Sequence, residues 1–200
     1  MSLRRTVLVV AALNAVWFFV QMSVALAIGS VSLLADGVDY LEDTAVNLLI
    51  AVALGWSLTN RSRMGKVMAF VILVPALIAA WQAFTKFRDP FEPDTTIMLL
   101  AAVGSVIVNG LCAWFLVHHR RGGGSMTKAA WLAARNDVII NIAIIAMALL
   151  TMAVGSGWPD LVLGVIILVI NLGAAKEVWE AATEENLAAK AEAGETGCGC

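Results

Sequence analysis

The chain has 200 residues, 60% of them hydrophobic and 14% charged, with a formal net charge of −2 and a mean hydropathy of +0.86. A water-soluble domain carries fewer apolar and more charged residues, so this composition excludes one and points to an integral membrane protein. Neither a nucleic-acid partner nor a prosthetic group is expected, and three cysteines are too few for a disulfide framework.

Six apolar runs can be read at 6–28, 30–56, 66–85, 96–117, 127–154 and 159–175, lengths that suit helices crossing a bilayer core about 30 Å thick. The first follows Arg4 and Arg5 and contains Ala25-Leu26-Ala27, the pattern of a cleavable signal. Its apolar part is too long for a signal, however, and five further spans follow. The connections are short: Ser57 to Gly65, Lys86 to Thr95 with Pro90 and Pro93, His118 to Thr127 with three glycines, and Gly155 to Asp160 with Pro159. The sixth run passes into a polar, helix-forming stretch from Lys176 to Ala193 and a tail, Gly197-Cys198-Gly199-Cys200. The expectation is an all-α membrane protein with a six-helix transmembrane domain over 1–175 and a cytoplasmic extension over 176–200.

Basic residues set the orientation. Arg4, Arg5, Arg61, Arg63, Lys66, Arg120, Arg121, Lys128, Lys176 and Lys190 fall at the N-terminus, the even-to-odd connections and the tail, against Lys86 and Arg88 on the other side. By the positive-inside rule both termini are cytoplasmic, in the plasma membrane. His118-His119 beside Arg120 either collects metal at the cytoplasmic mouth or is part of that charge signal. Cys112 reads as a small apolar residue in mid-span. Cys198 and Cys200 are thiols one residue apart that could take a soft ion.

The second run holds LLADGVDYLEDT, Leu33 to Thr44, with four acids in eight positions. A carboxylate at the centre of a membrane helix costs about 2.5–3.5 kcal/mol, so such acids are candidates for function. With a start near Ser30, Asp39 lies about 13 Å and Asp43 about 19 Å along the helix at 1.5 Å per residue. Asp36, Asp39, Asp43 and Asn47 share a stripe, and Glu42 points away from it. Carboxylates one turn apart repel each other unless a cation sits between them. The fifth run brings Asp137 to about 15 Å from its own start near Thr127, the same level. Together Asp39, Asp43 and Asp137 suggest an oxygen-rich site for a divalent cation, with Asp36 and Asn141 as further candidates. Other readings stay open: Asp36 as a helix-entry or hydrogen-bonding residue, Asp39 and Asp43 as structural acids held by asparagines, and Asp137 as a salt-bridge partner. Arg135 either snorkels toward the inner surface or meets Glu42.

These residues resemble the cation diffusion facilitator family. The similarity lies in Gly29 to Asp36 ahead of an aspartate pair spaced by three residues, in Asn109, in Asp137 with Asn141, and in Trp158-Pro159-Asp160. It implies a bundle whose second and fifth helices bind zinc or a similar ion and exchange it for protons by alternating access. It assigns ligand roles to Asp39, Asp43 and Asp137 and implies a homodimer. In that family a histidine or aspartate stands four residues before the fifth-helix aspartate; here the position is Ala133. In that family a soluble metal-binding domain follows the sixth helix; the expectation here is a transmembrane domain without it. Three carboxylates plus water would suit manganese or iron(II), or loosely held zinc or cobalt. The competing readings are a membrane metal or pH sensor that does not transport and, less compatibly with acids at mid-depth, a membrane phosphotransferase; no enzyme is expected.

Overall fold

The computed structural model describes residues 2–53, 55, 57–119 and 124–192. They form six helices: α1 (Leu3–Ile28), α2 (Val31–Ala53), α3 (Leu58–Arg88), α4 (Thr95–Val117), α5 (Gly124–Val154) and α6 (Trp158–Glu192). This is a multi-pass, all-α membrane bundle, as the apolar runs predict. Four of the helices are long and apolar enough to span a bilayer by composition. The acids of α2 take it outside that criterion, and the apolar part of α6 is the shorter stretch Trp158–Gly173.

One boundary needs correction. The segment from Ser57 to Gly65, read as a connection, is helical from Leu58 onward. Its arginines and Lys66 suppress the apolar signal without opposing helix formation, because basic residues are good helix formers. The other stops follow local chemistry. Gly29 ends α1 at φ 68°, a left-handed conformation that glycine adopts without steric cost. Asp94 caps α4 by accepting from the backbone N–H groups of Thr96 and Ile97, both at 3.0 Å.

Helices α1, α2, α4 and α5 pack as a four-helix group, with α3 and α6 paired against its α2 side. The α2–α6 approach is close because Gly164 faces the backbone of Val31; a Cβ there would lie 2.6 Å from the Val31 carbonyl carbon. Two apolar layers close the group. One is built around Leu33, Leu34, Ala102 and Ile144, the other around Val10, Ile50, Leu116 and Ala134. Phe19, Phe70, Trp81, Leu100 and Val169 point outward, the arrangement expected where lipid is the solvent. Polar side chains occupy the interior of the four-helix group.

Candidate metal site in the four-helix group

The start of α2 is held by a charge from another helix. Asp160, at the opening of α6, accepts from the backbone N–H groups of Val31 at 2.9 Å and Ser32 at 3.1 Å. It also accepts from the hydroxyls of Ser30 at 2.7 Å and Ser32 at 2.5 Å. Lys86 completes the cluster, its Nζ 2.8 Å from Asp160 Oδ2 and 2.9 Å from the Gly29 carbonyl, with both charged side chains fully buried. Lys86, by sequence an orientation charge in a connection, is instead a last-turn residue of α3 and half of an ion pair; a partner 74 residues away leaves no local signal.

One turn farther along, Asp36 is a fully buried hub. Its Oδ2 accepts from Gln21 Nε2 at 2.8 Å and Ser105 Oγ at 3.3 Å, and its Oδ1 accepts from Asn141 Nδ2 at 2.9 Å. Trp17 donates to the same Ser105 hydroxyl at 2.9 Å. Four helices therefore meet at a carboxylate both of whose oxygens are engaged.

Asp43 of α2 and Asp137 of α5 lie within electrostatic reach of each other. Both are buried. Asn14 of α1 donates to Asp43 Oδ2 at 3.3 Å, and Cys112 donates to Asn14 Oδ1 at 3.4 Å. Asp39 is half-buried. Its Oδ2 is sealed from solvent without a hydrogen-bond partner, and Asp137, Asp36, Glu42 and Asp43 all lie within electrostatic reach of it. Asp39, Asp43 and Asp137 thus lie within electrostatic reach of one another. Among the described residues no three carboxylate, histidine or cysteine side chains stand close enough to form a ready cage.

Amides fill the spaces between the acids. Asn47 donates to the Asp43 carbonyl and Asn141 to the Asp137 carbonyl, each one turn back and each at 2.9 Å. The amide oxygens of Asn47, Asn109 and Asn141 are buried without a partner.

The remaining candidates lie elsewhere. Glu42 is buried to one side of the α2 stripe that carries Asp36, Asp39 and Asp43 and lines a groove of about 410 Å³ with Asn171, Lys176 and Trp179, as its helical phase predicts. Arg135 is exposed, donates to Asn136 and lies 5.5 Å over the Trp131 ring, so the pairing with Glu42 held open above is not formed. Ala133 is half-buried. His118 and His119 border a cavity of about 380 Å³ with Thr6, Trp114 and Phe115, at the far end of α4 from Asp94. Cys198 and Cys200 fall outside the described residues.

Comparison with known proteins bears on the same architecture. Residues 7–184 match the cation efflux transmembrane domain family. The zinc transporter ZitB of Escherichia coli (strain K12) is 26% identical over 173 residues, 80% of this chain and 55% of that protein. ZitB of Yersinia pestis is 26% identical over 74% of this chain and 51% of its own length. The cadmium, cobalt and zinc/H(+)-K(+) antiporter of Bacillus subtilis (strain 168) is 26% identical over 72% of this chain and 50% of its own. The chain spans about half the length of the curated relatives it matches. With its family match covering most of the bundle, and with its acids on α2 and α5, this chain belongs to the cation efflux family.

Proposed function

We propose that the protein exports a divalent metal cation across the plasma membrane in exchange for protons, with Asp39, Asp43 and Asp137 as the ligands. The observation that carries this reading is an Asp39 oxygen sealed from solvent with no protein partner, with the buried acids Asp43 of α2 and Asp137 of α5 within electrostatic reach of it. Carboxyls crowded together away from water must be neutralised, by bound protons or by a cation. A cation therefore binds by displacing protons, and protons arriving from the far side expel it. That competition, with the site open to one side at a time, is sufficient for antiport.

Orientation follows from charge. Most basic residues lie around both termini and the even-to-odd connections, against Lys86 and Arg88 on the other side, and this asymmetry supports cytoplasmic termini. The relatives' names support zinc, cadmium or cobalt among the cargo; manganese and iron(II) suit the carboxylate donors. The working unit is a homodimer, to be checked by light scattering of the purified protein.

The test is metal uptake into proteoliposomes under an imposed pH gradient, for the wild type and for Asp39→Ala and Asp137→Ala. Gradient-dependent uptake that both substitutions abolish supports the reading. Metal binding by the purified protein without any movement of metal would replace the transporter with a sensor.

A further inference from the structure

Asn109 sits at the middle of α4, 2% exposed, with an amide oxygen that no group answers. A buried polar group left unpaired is destabilising, and the bilayer holds no water to relieve it. Asn47 and Asn141 are anchored through their amide nitrogens to the preceding turn. Asn109 has no such anchor among the described residues.

Its direction follows from its neighbours on α4. Ser105, Asn109 and Cys112 lie at i, i+4 and i+7, on one face. Ser105 reaches Asp36 at 3.3 Å. Cys112 reaches Asn14, which donates on to Asp43. Asn109 lies between these two contacts and so faces the interior of the four-helix group, at the level of the α2 stretch between Asp36 and Asp43. That stretch carries Asp39, with its own sealed and unpartnered Oδ2.

We propose that Asn109 supplies the neutral donor that Ala133 lacks, its amide oxygen joining Asp39, Asp43 and Asp137 in an all-oxygen set suited to hard divalent cations of the manganese(II) or iron(II) class. The inference rests on the aspartate site proposed above and names its fourth member. Carboxylate and amide oxygens suit such ions, whereas zinc gains most from nitrogen and sulfur donors in tetrahedral array. Cys112, the sulfur at this level, is held as a donor to Asn14 and is not offered to the acids.

The experiment is calorimetric titration of the full purified chain with manganese chloride and, separately, zinc chloride. The proteins are wild type, Asn109→Ala, Asn109→Leu and Asn109→Asp, each also melted without metal. Manganese affinity should fall about 10–100-fold in the alanine and leucine variants and be kept in the aspartate variant. The metal-free melting point of Asn109→Leu should equal or exceed that of the wild type, since an unpaired amide has been replaced by an apolar group of similar size. Unchanged manganese binding in the alanine and leucine variants overturns the inference and leaves the aspartate site standing. A metal-free melting point that falls in Asn109→Leu makes Asn109 a structural residue and also overturns it. A wild type that binds neither ion overturns the aspartate site itself, and this inference with it.

Discussion

Helix α2 takes part in two kinds of buried carboxylate chemistry within four turns, one centred on Asp160 of α6 and one on its own acids, and they differ in how completely they are satisfied. At its start, Asp160 receives two backbone amides, two hydroxyls and the Lys86 ammonium. Farther along, Asp39 keeps an oxygen without a partner, and Asp43 lies within electrostatic reach of another acid. Burial is shared by both centres, so burial alone does not mark function. What separates them is pairing: a complete set of donors holds a structure together, and an incomplete one leaves room for an ion.

Breaking the satisfied centre should give the largest effect. In Lys86→Met, Asp160 becomes a buried charge without a counterion, a loss of about 3–5 kcal/mol. Thermal unfolding in detergent should show a marked drop. The double variant Lys86→Met with Asp160→Asn removes both charges and should recover most of that loss, because neutral replacements of a buried pair are often close to neutral in stability. A single variant that melts like the wild type would place the ion pair outside the forces that hold α2.

The unsatisfied centre should respond in the opposite sense. Asp43→Asn and Asp137→Asn each remove one of two neighbouring acids. Their metal-free melting points should stay level or rise, while gradient-driven metal flux falls by more than the about 10–100-fold typical of residues that only support ligands. Loss of stability in parallel with flux would put these acids in the same class as Asp160.

Asp36 lies between the two centres in space and in kind. Asn141, Gln21 and Ser105 all donate to it, so Asp36→Asn turns an all-acceptor group into one that presents a donor to another donor. About 1–3 kcal/mol of stability should be lost, with transport reduced only as far as folding is. Flux abolished at full stability would move Asp36 into the ion site.

How much of this was legible in the sequence follows from the range of each interaction. Apolar runs are local, so six helices could be counted, and only the start of α3 was hidden by its basic residues. The 100° helical phase is local as well. It put Asp36, Asp39, Asp43 and Asn47 on one stripe and turned Glu42 away from it, where the groove against α3 and α6 now holds it. The clasp at Asp160 joins residues 74 and about 130 positions apart, a pairing that no spacing announces. Nor does a spacing tell which asparagine finds a partner: Asn47, Asn109 and Asn141 look alike in sequence. They are distinguished by whether the amide nitrogen reaches back to the preceding carbonyl.

The finest division of the comparison lies at Ala133, one turn before Asp137 on α5. If the set is built of oxygens, a nitrogen donor is what it lacks for zinc. Ala133→His supplies an imidazole at i, i+4 from Asp137, a spacing that lets both side chains reach one ion. Zinc affinity should then rise relative to manganese by about tenfold, the equivalent of roughly 1.4 kcal/mol, with manganese binding little changed. The side chain at 133 is half-buried, so a larger group can be admitted there at small cost in packing. A zinc-to-manganese ratio that does not move would mean that the ion is held away from position 133. The selectivity of the site would then have to be sought along α4, at Asn109.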